Sequence, residues 1–248
     1  VTEVWSCGGG TQSAAIAALI IQGKLPKPDL AVIVDTEREK ASTWRYLDEV
    51  IRPNLSKVGL EIHRVPKSRF ATVDLYGGEE GDTLLIPAFT TQNGEVGKLP
   101  TYCSVEWKRR VTARWLRSLG VEQARVWVGI SRDEMKRVRA PSKQWMQEWY
   151  PLLFDVPMGK GDCIRLVMDE MGWPKPPRSA CWMCPNMNDE EWREMDAGDF
   201  KKAVAFDAGL RKRDNFVFLH SIGKPLSEVD FTDRQPTLTG CDSGYCFV

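Results

Sequence analysis

The chain has 248 residues, 34 basic and 34 acidic side chains, and 42% hydrophobic residues, enough to bury a sizeable core in one large domain or in a domain with an appendage. Balanced charge gives no global electrostatic case for nucleic acid. No stretch approaches the roughly 20 apolar residues that span a bilayer, and no basic, apolar, cleavable leader precedes the first apolar stretch. A soluble, cytoplasmic protein with no membrane partner is therefore expected.

In chain order, the apolar stub Val1 to Trp5 runs into Ser6-Cys-Gly-Gly-Gly-Thr-Gln-Ser13 and then Ala-Ala-Ile-Ala-Ala-Leu-Ile-Ile. The pattern predicts strand, tight turn and helix N-terminus. Glycines at Gly8, Gly9 and Gly10 let backbone approach a ligand closely, and the first helical turn directs unpaired N–H groups at it, which suits phosphate. Ser6, Thr11 and Ser13 can add hydroxyl donors. Neither G-x-x-x-x-G-K-[ST] nor G-x-G-x-x-G spacing is present, and an ordinary Gly-rich βα turn would read the same way. Leu30 to Asp35 predicts a strand buried on both faces. Apolar spacing over 40–58 (Trp44, Leu47, Val50, Ile51, Leu55) predicts a helix strained near Pro53. Leu60 to Val65 predicts a third strand, 77–101 a mobile Gly-rich loop, 104–119 a helix, and Arg125 to Ile130 a fourth strand. This alternation predicts an α/β fold with a Rossmann-like parallel sheet flanked by helices. The strand pattern stops near residue 140. Two helices, the Pro-rich Pro174 to Pro177, a cysteine pair, two more helices and an irregular tail follow, so the expected division is 1–139 and 140–248.

Ligands of open parallel sheets lie beyond the carboxyl ends of the strands. Ser6 to Ser13, Asp35-Thr36-Glu37 and Gly129-Ile130-Ser131 would converge there on a nucleotide. Asp35 can hold a ribose hydroxyl or a magnesium ion, or simply cap a helix. Seven cysteines, an odd number with no export signal, argue for metal or redox chemistry over a disulfide framework. Cys181-Trp-Met-Cys184 closed by Pro185 is a strong metal signal. With Cys103 and Cys163, each placed at a helix start, it would give four thiolates for zinc or a [4Fe–4S] cluster; a redox dithiol is the simpler alternative. Cys241 and Cys246, in a Gly-rich tail, would serve as nucleophiles or as an inert end. The runs Lys108 to Arg117 and Arg132 to Lys143 are basic, and Trp107, Trp115, Trp145 and Trp149 lie among Arg and Lys. That pattern suits single-stranded nucleic acid, or core packing beside a solvated face.

Five of these segments together carry a family resemblance. Ser-Cys-Gly-Gly-Gly-Thr-Gln-Ser resembles the PP-loop of the adenine nucleotide alpha-hydrolase superfamily, and Val34-Asp-Thr-Glu37 its second-strand motif. Tyr102-Cys-Ser-Val-Glu-Trp-Lys108 is similar to the Cys-x₄-Lys segment of the PAPS (phosphoadenosine phosphosulfate) reductase family. Val128-Gly-Ile-Ser-Arg-Asp-Glu134 with Arg137 resembles that family's Gly-Ile-x-x-x-Glu stretch. Pro177 to Pro185 followed by Glu191-Trp192 is similar to the cluster segment of its iron–sulfur members, which include phage proteins and DNA-phosphorothioation sulfurtransferases. The motifs stand in the family's order over residues 1–195.

The resemblance implies binding of ATP or a related adenine nucleotide with Mg²⁺. The loop Ser6, Gly8–Ser13, with Asp35, Thr36, Gly129 and Arg109, would form the nucleotide site. Lys108 and Arg137 would act on the phosphates, and Cys103, Cys163, Cys181 and Cys184 would hold a [4Fe–4S] cluster, with zinc as the alternative. The implied activity is adenylylation of an acceptor followed by sulfur transfer. Its partners would be a sulfur donor protein (a cysteine desulfurase or a thioredoxin-like protein) and an acceptor that includes nucleic acid among its candidates. Reductive cleavage of PAPS or adenylylsulfate, with Cys241 or Cys246 as nucleophile, is the second reading. A nucleotide- or nucleic-acid-binding module without catalysis is the third. Against the reductase stand the absence of a Glu-Cys-Gly-x-His ending and the single Cys103. Cys7 and the lack of an acid in the loop depart from many ATP pyrophosphatases.

Overall fold

A computed structural model describes residues 1–92, 94–138 and 143–232. Its elements are β1 (Thr2–Ser6), α1 (Thr11–Ile21), β2 (Leu30–Asp35), α2 (Ala41–Tyr46), α3 (Arg52–Ser56), β3 (Ile62–Pro66) and α4 (Lys67–Phe70). The short strands β4 (Tyr76–Gly77), β5 (Thr83–Leu84), β6 (Phe89–Thr90) and β7 (Gly97–Lys98) follow. Then come α5 (Arg110–Ser118), β8 (Ala124–Val128), β9 (Met146–Trp149), α6 (Pro151–Phe154), α7 (Lys160–Arg165), α8 (Asp189–Arg193), α9 (Ala197–Arg213) and β10 (Val217–Phe218). The chain divides into two compact units, each made of two segments. The first joins Val1–Ala71 to Trp107–Ser179, and the second joins Thr72–Glu106 to the chain from Ala180 onward.

The first unit is an α/β fold, Rossmann-like, with five strands in the order β3-β2-β1-β8-β9. Every pairing is parallel, with Val4 opposite Leu30 on one side of β1 and Val126 on the other. The apolar run Leu30 to Val34 of β2, and Val4-Trp5 at the middle of β1, follow from burial of both sheet faces. On one face Trp5, Ala31 and Ile33 pack under α1 and the helices after β2; on the other, Val4, Val32 and Val34 pack with Val111, Trp115 and Leu116 of α5. Four alanines and no charge make α1 a helix buried almost all round. The helix expected over 40–58 forms as α2 and α3 joined by a π-helical turn at Leu47–Ile51. Pro53, in the first turn of α3, has no N–H and its ring crowds the carbonyl four residues back, so the wider turn just before it absorbs the mismatch.

Two sequence expectations need correction. The sheet does not end at residue 139: β9 adds a fifth strand, and the first unit continues to Ser179. Met146-Gln-Glu-Trp149 buries only Met146, so its pairing through backbone leaves almost no hydrophobic signature. The stretch 77–101 is a set of paired strands rather than a bare loop: β4 pairs with β5, and β6 lies between β7 and β10. Strands of two residues are too short to show a period.

In the second unit, α9 carries the buried Asp207, which accepts from Leu219 N (2.9 Å) and Leu226 N (2.8 Å) and is paired to Arg211. Asn188 and Glu191 cap α8 reciprocally, Asn188 Oδ1 accepting from Glu191 N at 2.9 Å and Glu191 Oε2 from Asn188 N at 3.0 Å. Phe231 packs against Trp192, Phe200 and His220. Among the described residues, no helix is long and apolar enough to cross a membrane.

Candidate functional site: the carboxyl edge of the parallel sheet

Strand order runs one way from β1 to β2 and β3 and the other way to β8 and β9, so the direction reverses between β1 and β8. A crevice at such a reversal is the usual ligand position of an open parallel sheet. The turn after β1 and the turn after β8 both lie there. Gly9 has φ +74°, and a Cβ on it would fall 2.7 Å from Thr43 Cγ2, so conformation and space both require glycine. Gly8 N donates to Ser13 Oγ at 2.8 Å, and Ala14 N closes the first helical bond on Gly10 O at 2.9 Å. Among the described residues no side chain caps α1, so its first-turn N–H groups are available to a bound anion.

Gln12 ties the two turns together. Its Nε2 donates to Ser131 Oγ (3.3 Å) and to Glu134 Oε2 (3.0 Å), and Glu134 Oε1 accepts from Arg137 Nη1 at 2.7 Å. Arg137 is thereby held two contacts from the loop. A Cβ on Gly129 would meet Gln12 Cβ at 3.1 Å, so this glycine is needed for close passage of α1. Ser6 is the half-buried last residue of β1, while Thr11 and Ser13 are buried inside the turn.

The turn after β2 is built differently. Asp35 Oδ1 accepts from Glu37 N at 2.7 Å, and Oδ2 accepts from Arg64 Nε (2.9 Å) and Nη2 (2.6 Å). The Arg64 guanidinium lies 3.9 Å from the centroid of the Trp44 ring. Glu37, at φ +62°, is held by Ser68 N on its Oε1 at 3.1 Å. Both oxygens of Asp35 therefore have protein donors already. Thr36 Oγ1 donates to Glu39 Oε1 at 3.4 Å, and Lys108 Nζ stands 3.0 Å from the same oxygen. Arg109 is engaged by Glu148 of β9 at 2.6 Å, a contact that anchors the start of α5 to the edge strand.

Several residues escaped sequence reading. Ser179 Oγ donates to Gly8 O, and the Ser179 backbone nitrogen and Cβ lie 3.0 Å from where a Gly10 Cβ would be. The chain before it is fixed by Tyr46 OH, which donates to Pro174 O at 3.0 Å, so 174–179 forms a strap over the loop. Only a fold shows that contact, 171 residues apart in sequence. Glu134, within Val128 to Glu134, is the acid that links Gln12 to Arg137. Thr43 Oγ1 and Glu39 Oε2 are buried and accept or donate nothing among the described residues, a condition that native interiors rarely leave unanswered.

None of the described cysteines forms a disulfide. Cys181 and Cys184 share one tight turn, Cys184 N donating to Cys181 O at 3.0 Å, and both are half-buried. Cys103 is half-buried with its N–H on Leu85 O at 2.9 Å. Cys163 is fully buried in the apolar core of the first unit, and that burial, followed by the nearby Asp162 and Asp133, pushes its thiol up to about 12. Cys163 thus lies in the first unit, whereas Cys103, Cys181 and Cys184 belong to the second. Cys7 is buried beside the loop, and burial raises it to about 11 against the pull of Gly9 N–H and Ser13. Among the described residues, no group of three or more His, Cys, Asp or Glu side chains is arranged to hold a metal ion. Cys241 and Cys246 lie outside the described residues.

No protein-family model matches the sequence, and no curated protein does. Among solved structures, the chain is similar to the U34-tRNA thiolase NcsA from Methanococcus maripaludis with its [4Fe-4S] cluster, at a TM-score of 0.45 and 12% identity over 86% of this chain. The match spans 66% of that structure's chain, and at that score and identity it says nothing of substrate.

Proposed function

We propose that the carboxyl edge of the sheet binds an adenine nucleotide and uses ATP to activate an acceptor for sulfur transfer. The observation that carries the reading is the uncapped α1 N-terminus behind Gly8–Ser13, placed at the β1/β8 reversal. The fit to a nucleotide is supported by two buried atoms unanswered among the described residues, Thr43 Oγ1 beside Gly9 and Glu39 Oε2, whose other oxygen pairs with Lys108. In the proposed reaction, an acceptor oxygen attacks the α-phosphorus, the bond to pyrophosphate breaks, and an adenylylated acceptor forms. A hydrosulfide-equivalent sulfur then attacks the acceptor carbon, the C–O bond breaks, and AMP leaves.

The chain's own groups bind and orient. Loop N–H groups of Gly9 to Ser13 cradle phosphate, and Arg137, turned from Glu134, and Lys108, turned from Glu39, meet the charge that develops on pyrophosphate. Mg²⁺ would shield the same charge. Asp35 and Arg109 position the turn after β2 and the start of α5 rather than touching ligand. Cys103, Cys181 and Cys184, all half-buried in the second unit, are the thiolates that an iron–sulfur cluster would have to draw together; when bound it would supply a redox centre and an iron site for sulfur.

The deciding experiment is calorimetry with ATP, PAPS and adenylylsulfate, paired with a pyrophosphate assay. Magnesium-dependent ATP binding is the expected result. Binding of the sulfated nucleotides with no affinity for ATP would replace this reading by the reductase one.

A further inference from the structure

From Trp107 to Val121 the chain has no acidic residue, and α5 turns Arg110, Arg114 and Arg117 to one side at helical spacing. Arg110 and Arg117 are exposed; Arg114 is half-buried and donates to Phe70 O at 2.6 Å. Three cations here lie against rings. Arg117 lies 3.8 Å over Trp145, Lys143 lies 5.9 Å from the same ring, and Arg69 lies 5.4 Å over Phe70. Exposed His63 stands 5.6 Å from Trp115. Trp115, Phe70 and Trp145 border one apolar cluster, so the rings are fixed from below while the cations face outward. Lys143 is lowered first by desolvation and then by Arg109, Arg110, Arg114 and Arg117. None of these residues belongs to the nucleotide site except Arg109, which Glu148 holds.

We propose that this face of the first unit docks an unpaired nucleic-acid strand, its phosphates on Arg110, Arg114, Arg117 and Lys143 and a base against the Arg117–Trp145 stack. Charge complementarity selects a polyanion. Arg110 to Arg117 rises about 10 Å along the helix, a length suited to a few consecutive phosphates. The alternation of cation and fixed ring selects unpaired bases over an acidic peptide, because every base offers a π-face to a guanidinium plane. The inference concerns a surface beyond the nucleotide site and is tested without ATP.

The probe is a labelled 12-nucleotide oligo(U), read by fluorescence anisotropy from low to moderate salt. Each phosphate neutralised adds about −0.7 to the slope of log K against log salt, so a slope near −2 to −3 is expected. Arg117→Gln with Lys143→Gln should weaken binding about tenfold at low salt and flatten the slope by about 1.4. Arg117→Lys should keep the slope and lose a few-fold in affinity through the missing planar stack. ATP affinity of these variants should equal that of the parent, which separates failure here from failure of the nucleotide reading. If the double variant melts early, Lys143→Gln alone carries the same measurement. Parent-like affinity and slope in the variants would overturn the proposal. So would tighter binding of a 12-base-pair duplex, or poly-glutamate competing as well as oligo(U).

Discussion

The turns after β1 and β2 sit on the same edge of the same sheet, and both begin with polar residues, yet they differ in what their polar groups are doing. After β1, glycines and an uncapped helix leave backbone donors without an intrahelical acceptor. After β2, Asp35 is bonded at both oxygens by Glu37 N and Arg64, and Glu37 is pinned by Ser68. A residue type at a strand end therefore identifies a ligand site only when its hydrogen-bonding capacity is not already met by the protein. The cysteines differ in a similar way: Cys181 and Cys184 sit half-buried on one turn, whereas Cys163 is fully buried in the core of the first unit.

The contrast between the turns breaks most readily at Gly9. Gly9→Val places a branched side chain where a Cβ already falls 2.7 Å from Thr43, at a positive φ. Calorimetry should show ATP affinity lowered by about 100-fold or more, which is ~2.7 kcal/mol. Equal loss in Asp35→Asn would erase the distinction. Next come the cations. Lys108→Ala and Arg137→Ala should each weaken ATP by about 10-fold or more, since a charge-assisted hydrogen bond is worth roughly 1.5–3 kcal/mol. Arg109→Ala, at the Glu148 contact, should lower the melting temperature and leave ATP affinity unchanged.

The cysteine contrast is sharpened by alkylation and pH. With iodoacetamide at pH 8 and peptide mapping, Cys103, Cys181 and Cys184 should be modified in the metal-free protein and Cys7 and Cys163 protected. Both buried thiols ionise later when folded than the ordinary value of 9.0, at about 11 and about 12. Their contribution to stability is therefore complete below pH 9 and is lost as pH rises toward 12. Urea midpoints should fall over that window, and Cys163→Val should make the fall shallower. The smallest effect belongs to Asp35→Asn. Its partner Arg64 is half exposed, so the expected loss is about 1 kcal/mol of stability, with ATP affinity within a factor of two or three.

The sequence made the first half of the sheet plain because Val4-Trp5, the run Leu30 to Val34 and most of α1 are buried apolar stretches. Gly8 to Gly10 announced the turn because few folded roles need three consecutive glycines. What it concealed was pairwise. Asp35 looks identical whether Arg64 is bonded to it or not, and Arg64 lies in a different strand. Ser179 is an ordinary serine until the strap brings it onto Gly8 O. β9 was hidden because an edge strand of four residues pairs through backbone, which has no letter code. The burial of Cys163 was hidden for a related reason: α7 packs against α1, a pairing with no mark in the sequence.

The interrupted construction of the first unit has a consequence for how it is made. Strands β1 to β3 leave the ribosome as a parallel trio, but β1, the central strand, lacks its second neighbour until Ala124–Val128 has been synthesised. At about 5–20 residues per second, the stretch from Pro66 to Val128 takes about 3–12 s. For that interval the apolar Val4 and Trp5 lie on an open sheet edge, the kind of surface on which nascent chains pair with one another. Translation speed through the segment inserted between β3 and α5, more than the stability of the finished sheet, should govern how much of the protein reaches the soluble fraction.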